Sequence, residues 1–277
     1  MATPGLVSDC SSCFGLCCVL LPFSASAGFG VDKPGGRACL NLLDDDRCGI
    51  HATLRGDGWP GCTVFECFGA GQQVSQVTYS GVSWREQDNL AEMGAVLSVM
   101  RQLHEMLVHL AEVDRRSPDP AVAAVRGEIE ALTAADPESL LTSDVDELHG
   151  RVGGILSEAS SRVRRHWPAA RDQSRQDLAG TRVEGDHSGS TFRGALMIRA
   201  DLRDADVTDA DFLGADLRDA DLRGTDLSTT LFLSQPQVNA AIGDETTVLP
   251  PGLSRPGHWP TAGSSRAVPG ASLRRSS

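Results

Sequence analysis

Between Phe192 and Phe232 the sequence repeats every five residues. A large apolar residue recurs at Phe192, Met197, Leu202, Val207, Phe212, Leu217, Leu222, Leu227 and Phe232. From Met197 onward, Ala or Thr lies two residues before each of these positions, usually with Asp between them. This period matches neither an α-helix, at about 3.6 residues, nor a plain strand, at about 2. It fits short extended pieces joined by corners, with the small and large residues on one side and Asp on the other.

Stacking such pieces buries a column of small and large side chains, which predicts a β-solenoid. Phe192, Phe212 and Phe232 are twenty residues apart, so four units per coil would stack their rings in one column. The same register places Asp201 over Asp221 and Asp206 over Asp226. Like charges opposite each other are unfavourable. Nearby arginines would have to screen them, namely Arg203, Arg218 and Arg223.

The run resembles the pentapeptide-repeat family, whose pattern is A(D/N)LXX, over about residues 190–234 and more weakly back to about 176. The resemblance implies a right-handed quadrilateral β-helix with four pentapeptides per coil. Leu178 and Val183 keep the spacing, and a break of one residue between Val183 and His187 predicts an imperfect first coil. Some relatives inhibit DNA gyrase by imitating duplex DNA. Two to three coils would span only roughly 10–15 Å, so this interpretation is the least favoured.

All eight cysteines lie in the N-terminal part of the sequence, at Cys10, Cys13, Cys17, Cys18, Cys39, Cys48, Cys62 and Cys67. A C-x2-C pair can supply two thiolates to one ion, and four thiolates complete a zinc or iron–sulfur centre. Eight thiols can therefore form two sites or one site with spares. Their density favours metal binding over disulfides or inert buried thiols. Adjacent side chains diverge in an extended chain, so one ion is not expected to bind both Cys17 and Cys18.

The order of these cysteines resembles the CxxCxxCC family of zinc- or iron-chelating domains. Cys39-Leu40 and Cys48-Gly49-Ile50-His51 match further elements of that family's pattern. The first motif is one residue longer, and an Arg-Pro before the last cysteine is absent, which leaves open whether Cys62, Cys67 or both are ligands. The resemblance implies a domain over about 10–67 that binds zinc, iron or an iron–sulfur cluster. His51 is a further candidate ligand, although a local hydrogen-bonding role is the simpler interpretation.

Composition and periodicity divide the chain into four segments. Residues 1–85 form the cysteine-rich domain, 86–167 a helical segment, 168–249 the solenoid with a C-terminal cap, and 250–277 a disordered tail rich in Pro, Gly, Ser and Arg. Apolar residues at helical spacing predict a helix over about 87–116. Asp119-Pro120 starts a second helix that ends near Ala135. A third runs from about 143 to 167. The fold class is thus multi-domain.

The sequence carries a net charge of −12, which disfavours nucleic-acid binding. The stretch GLCCVLLPFSASA imitates a signal peptide but lacks a basic n-region, so we expect a cytoplasmic protein with reduced thiols and no membrane span. The common catalytic motifs are missing, and the sequence favours a non-enzyme. It predicts a metal-stabilised protein–protein interaction scaffold, with an unidentified partner binding the acidic repeat surface. An iron–sulfur or other metal-dependent redox enzyme or sensor is the alternative.

Overall fold

The computed structural model describes residues 5–260, which fall into two compact units. Unit 1 comprises the chain to Pro168 together with Ser234–Asn239, and unit 2 comprises Ala169–Leu233 and the chain from Ala240 onward. The cysteine-rich and helical segments, which the sequence divides at residue 85, thus lie in the same unit. Within the described range, no helix is both long enough and apolar enough to cross a membrane.

Unit 1 is helical, with short helices in its cysteine-rich part and longer ones after residue 89. The helices are α1 (Leu16–Leu20), α2 (Pro60–Val64), α3 (Ala70–Gln72), α4 (Leu90–Arg116), α5 (Pro120–Thr133), α6 (Pro137–Thr142) and α7 (Val145–Arg164). A π-helical turn, Gln73–Thr78, follows α3 directly, and 3₁₀ turns cover Cys10–Ser12, Ala25–Ala27 and His51–Thr53. Two isolated antiparallel bridges join Phe23 to Lys33 and Leu42 to Cys48.

Helix α4 is the centre of unit 1. Its stripe of fully buried residues includes Met93, Met100 and Leu110, and α1, α5, α6 and α7 all pack against it. The three predicted helices are confirmed as α4, α5 and α7, and the short helix α6 is an addition. Aspartates cap the later helices, as in α5, where the Asp119 carboxylate accepts a hydrogen bond from the Ala121 amide.

The signal-like stretch of the sequence is part of the core of unit 1. It forms helix α1, in which Leu16 and Val19 are buried. A Cβ added to Gly94 of α4 would lie 2.8 Å from Leu20, so the absence of a side chain at Gly94 lets the two helices approach closely.

Unit 2 contains the β-solenoid. In residues 5–260 the parallel pairing consists of isolated bridges between adjacent coils, and no continuous strand forms. Bridges join Thr191 to Asp211, Leu196 to Asp216 and Asp201 to Asp221, each pair twenty residues apart. Four five-residue units therefore make one coil. One row of successive bridges has four levels, more than the two to three coils expected. It runs through Asp172, Thr191, Asp211 and Leu231.

The interior of the solenoid holds the predicted small and large residues. Met197, Leu202, Val207, Leu222 and the alternating alanines are almost completely buried. The rings of Phe192 and Phe212 stack with centroids 5.0 Å apart, which confirms that step of the aromatic column, and Phe232 is buried as well. Where Thr replaces Ala at position 225, its hydroxyl donates to the carbonyl of Leu202 at 2.7 Å, so the buried polar group is satisfied.

The first coil carries the predicted irregularity. Asp177 pairs with Leu196 and Arg182 with Asp201, nineteen residues apart, whereas Asp186 pairs with Asp206, twenty residues apart. One residue is therefore missing between Arg182 and Asp186, as the spacing of Val183 and His187 predicts.

The chain beyond the last repeat holds more defined structure than expected. Helix α8 (Gln235–Ala240) falls in the segment predicted as the cap, but Ser234–Asn239 belong to unit 1. Pairing within unit 2 resumes at Ile242 and Val248. The sequence predicts disorder from residue 250, but Trp259 is buried and its indole donates to the Ala241 carbonyl at 3.0 Å. Residues 261–277 lie outside the described part of the chain.

A carboxylate holds the backbone at the corner of most units. Where a unit carries Asp, its side chain accepts a hydrogen bond from the amide two residues later, as from Arg203 to Asp201 at 3.1 Å and from Leu213 to Asp211 at 3.0 Å. This Asx turn favours the corner over an extended chain. The repeated Asp is therefore a structural residue of the turn as well as a surface charge, a role that the sequence analysis did not include.

We predict that Leu202→Asp will destabilise unit 2 by several kcal/mol, because it buries an unpaired charge among the interior residues. Leu196→Asp is the matched control, since Leu196 is 45% exposed and occupies the slot that holds Asp in the units that follow. Thermal unfolding followed by circular dichroism measures both. The control should melt at or above the wild-type temperature, and an unchanged melting curve for Leu202→Asp would contradict the solenoid.

Candidate functional site

Seven of the eight cysteines line one cavity of about 130 Å³ in unit 1. These residues are Cys10, Cys13, Cys17, Cys18, Cys48, Cys62 and Cys67. Leu21, Phe23, Phe29, Leu54 and Phe65 contribute an apolar wall. The eighth cysteine, Cys39, is buried in an apolar cluster with Phe23 and Trp59, against which Cys18 and Cys62 pack. The structure thus brings together all the cysteines proposed from the sequence, although they are spread over 58 positions.

Short helices and turns bring these thiols together. The 3₁₀ turn Cys10–Ser12 carries Cys10 and is followed directly by Cys13. At the start of α3, a Cβ added to Gly71 would lie 2.9 Å from the Cys13 sulfur and 3.6 Å from the Cys67 sulfur. The absence of a side chain at Gly71 leaves room for the Cys13 sulfur close to the backbone, and the Cys67 sulfur lies at ordinary contact distance from the same point.

Cys17 and Cys18 do not diverge as expected from an extended chain. Both lie in helix α1, and their sulfurs are 4.0 Å apart. Their hydrogen bond raises the pKa of Cys17 and lowers the pKa of Cys18. Burial opposes the lowering at Cys18, whereas the positive charge of Lys33 adds to it. The Cys18 sulfur is thus the one that favours the thiolate form.

Burial raises the pKa of five further thiols and so disfavours their ionisation. It raises the pKa of Cys10 to about 12, with further contributions from the neighbouring thiols of Cys13 and Cys67. It also raises the pKa of Cys62 to about 12, with three other thiols adding repulsion. Cys13, Cys39 and Cys48 shift in the same direction for the same reason. Several thiolates could share this space only if a cation offset their repulsion.

The donor set is chemically suited to zinc or to an iron–sulfur cluster, since soft thiolates are the ligands these centres prefer. His51 also lines the cavity. Within residues 5–260, no three His, Cys, Asp or Glu side chains already stand in positions to coordinate one ion. The cysteines are gathered around a common cavity, and ligation would require their side chains to turn toward a shared point.

Lys33 is the charged neighbour of this cavity that the sequence analysis missed. It is the single lysine of the chain and only 6% exposed. Its ammonium donates to four backbone carbonyls, including those of Leu21 at 2.6 Å and Arg37 at 2.7 Å, and lies 4.5 Å from the centre of the Phe23 ring. A lone lysine in an arginine-rich sequence was the available signal.

Charge is distributed unevenly over the sides of the solenoid in unit 2. On one side, the Arg203 guanidinium lies 2.7 Å from Asp201 and 3.5 Å from Asp221, which confirms the expected screening of that stacked pair. Arg223 also pairs with Asp221. This side is close to neutral because each carboxylate has an arginine beside it.

Two further carboxylates have arginine partners on other sides of the solenoid. Arg218 pairs with Asp216 at 2.6 Å. Asp211 is completely buried and pairs with Arg193 at 2.5 Å.

Another side of unit 2 keeps its negative charge. Asp186, Asp206 and Asp226 are exposed, and none of them forms a salt bridge in the described part of the chain. Asp186 pairs with Asp206 in adjacent coils. Asp226 is twenty residues further along, in the position predicted to stack on Asp206. We call these three residues the acidic face.

Comparisons with known proteins show which family the chain belongs to. The family model for pentapeptide repeats matches residues 195–232, with eight copies. The uncharacterized protein YybG of Bacillus subtilis (strain 168) is 47% identical over 264 residues, which cover 92% of this chain and 95% of YybG. This chain is a pentapeptide-repeat protein of the same family as YybG.

The similarity within this family reaches far beyond the repeats. It covers too much of the chain to be confined to unit 2, so it extends into the cysteine-bearing unit 1. Among solved structures, the pentapeptide-repeat protein Rfr23 from the cyanobacterium Cyanothece 51142 matches with 27% identity and a TM-score of 0.26. That match covers 28% of this chain and 53% of Rfr23, about half of its length.

We predict that unit 2 will lose stability in acid. Hydrogen bonds from Arg203 and Arg218 hold the pKa values of Asp201 and Asp216 below the ordinary value of 3.8. A carboxyl whose pKa is lower in the folded state stabilises the fold above its unfolded pKa, and this contribution is lost as the pH falls through that range. The melting temperature should be level between about pH 7 and 5 and fall below about pH 4.

The double variant Asp201→Asn/Asp216→Asn is the control for this prediction. Asn can still form the Asx turn but does not titrate, so the fall in melting temperature below about pH 4 should be smaller than in the wild type. A wild-type melting temperature that stays level or rises on acidification would contradict the prediction.

Proposed function

We propose that this protein is a metal-stabilised interaction scaffold. In this proposal, the thiols of unit 1 hold a structural metal centre, and the acidic face of unit 2 binds a protein partner. The observation that carries the proposal is the convergence of seven cysteines on one small cavity. The repeats account for the architecture of unit 2. They do not explain why the same chain carries eight cysteines in unit 1.

The surroundings of the cavity favour a thiolate centre over a carboxylate site. Asp46 lines the cavity, but its carboxylate is held by Arg85 at 2.6 Å and by the Ser83 hydroxyl at 2.6 Å. Asp9, another lining residue, accepts hydrogen bonds from the Ser11 amide and from the Ser11 and Ser12 hydroxyls. Thiols therefore make up most of the ligand atoms that the cavity offers, and they select zinc or iron–sulfur centres over hard cations. Such a centre requires reduced thiols, which the cytoplasm maintains, and we place the protein there.

The apolar wall of the cavity supports an iron–sulfur centre as the second candidate. A closed zinc site fills its own coordination shell, whereas this cavity leaves room beside the sulfurs against Phe23 and Phe29. A cluster in that space could carry electrons or bind a substrate. This alternative would make the protein a redox enzyme or sensor.

The acidic face favours a basic protein surface as the partner of unit 2. Within residues 5–260 its three carboxylates form no salt bridge, whereas Asp201, Asp211, Asp216 and Asp221 each form one with an arginine. Four levels of the solenoid span only roughly 15 Å, so we infer contact with a small basic patch rather than imitation of a DNA duplex. Each Asp of the acidic face also forms an Asx turn, as Asp206 does with the Thr208 amide at 3.1 Å. Its position is therefore fixed by the backbone.

Metal analysis of protein purified without oxygen tests the metal centre. We expect stoichiometric zinc with no visible absorbance, and we expect chelation to lower the melting temperature of unit 1 while unit 2 melts as before. The melting transition of unit 2 is the internal control, because the solenoid contains no cysteine. Stoichiometric iron and sulfide with broad visible absorbance would favour the redox alternative. Protein that carries no metal and is unaffected by chelators would contradict both.

Charge removal tests the acidic face. The triple variant Asp186→Asn/Asp206→Asn/Asp226→Asn keeps the Asx turns, because the Asn carbonyl oxygen accepts the same hydrogen bond. We expect it to melt like the wild type at neutral pH but to lose at least tenfold in affinity for the partner. The matched control is Asp201→Asn/Asp216→Asn/Asp221→Asn, which removes three arginine-paired charges.

The measurement is affinity capture from native extract, followed by titration of each captured protein against the three forms. A partner whose binding is weakened only by the acidic-face variant supports the proposal. Equal loss in both triple variants, or no loss in either, would contradict it.

A further inference from the structure

We propose that the eight thiols form two separate metal centres of four thiolates each, rather than one centre with spare ligands. The first set consists of Cys10, Cys13, Cys17 and Cys67. The second set consists of Cys18, Cys39, Cys48 and Cys62. This partition rests on the proposed metal-binding function and specifies how many ions or clusters unit 1 holds and which residues hold each.

Three members of the first set, Cys10, Cys13 and Cys67, gather where the N-terminal turn meets helix α3. The sulfurs of Cys13 and Cys67 both approach Gly71, at 2.9 and 3.6 Å from the position of its missing Cβ. Ser8 is two residues before Cys10, and its hydroxyl lies 3.0 Å from the Cys67 sulfur. The Ser8 hydroxyl also donates to Glu66. Cys10 and Cys67 are thus held close together from opposite ends of the cysteine-rich segment.

The second set gathers around the apolar cluster of Phe23 and Trp59. Cys39 belongs to this cluster, and both Cys18 and Cys62 pack against it. The Cys39 amide donates to the Cys18 carbonyl at 3.0 Å. Cys48 is joined by its bridge to Leu42, another residue packed against the same cluster. Cys18, Cys39 and Cys62 therefore share a core in which, among the described residues, no member of the first set takes part, and Cys48 adjoins it through Leu42.

The charged neighbours of the two sets also differ. The Lys33 ammonium donates to the carbonyl of Val19, which directly follows Cys18 of the second set. Glu66, which accepts from the Ser8 hydroxyl, directly precedes Cys67 of the first set.

The boundary between the two sets falls between Cys17 and Cys18. Successive residues of a helix point in directions about 100° apart, so helix α1 can present Cys17 to one set and Cys18 to the other. Their sulfurs are 4.0 Å apart, which makes the two centres close neighbours.

Cobalt titration of the full-length chain under anaerobic conditions tests the partition. Co²⁺ in tetrahedral thiolate sites replaces zinc and is counted by its absorbance. We expect two ions per chain in the wild type, and one in each of Cys10→Ser/Cys67→Ser and Cys39→Ser/Cys62→Ser. In each variant the four thiols of the intact set should stay protected from alkylation, as mapped by mass spectrometry.

A second measurement avoids variants that fail to fold. Metal is removed stepwise from the wild-type protein as purified, and the released thiols are alkylated and identified. Release in two groups that correspond to the two sets supports the partition. Release of all protected thiols together, or one metal centre whose four protected thiols come from both sets, overturns it and leaves metal binding intact. A wild-type chain that binds no metal overturns the proposed function itself.

Discussion

Bringing ionisable sulfur atoms together in a space with little water is the constraint on which unit 1 depends. Desolvation and mutual repulsion both oppose ionisation, and this is why burial raises the pKa values of Cys10 and Cys62. As neutral thiols these side chains contribute little beyond packing. A bound cation changes the balance, because each thiolate that forms is stabilised by the ion that attracts it. The folding of the short turns and helices around the cavity would then be coupled to metal binding.

In unit 2 the positions of the charged side chains follow from the turns of the backbone. Its interior contains stacked apolar side chains, and its carboxylates are placed by the corners they stabilise. Where an arginine stands two residues after the Asp, as Arg203 does after Asp201, the same carboxylate binds both the backbone amide and the guanidinium. Where a small hydroxyl residue stands there instead, as Thr208 does after Asp206, the charge remains uncompensated. At these corners the residue two positions after the Asp thus decides whether its charge has an arginine partner, whereas Asp211 is paired by Arg193 from another unit.

The solenoid could be predicted from sequence because side-chain direction in short extended pieces follows directly from residue spacing. The one-residue break near Val183 was visible for the same reason. The Asx turns were not, since a pattern shows which side a residue occupies but not which amide its side chain binds. The packing of Trp259 was also missed, because a single aromatic residue in a Pro- and Gly-rich segment gives no periodic signal.

For unit 1, sequence spacing indicated the residue types of the site but not their arrangement. Cys17 and Cys18 were treated as part of an extended chain, whereas helix α1 brings their sulfurs close together. The contribution of Gly71, which leaves room for the Cys13 sulfur, depends on a tertiary contact between segments more than fifty residues apart. Burial of Lys33 depends on carbonyls from several turns. Neither has a local sequence pattern.

X-ray absorption at the edge of the bound metal tests the central claim most directly, because it reports the ligand atoms themselves. The measurement uses the full-length protein purified without oxygen. A first shell of four sulfur atoms at about 2.3 Å from the metal is predicted. A shell dominated by nitrogen or oxygen would contradict the assignment of the cysteine cavity as the metal centre.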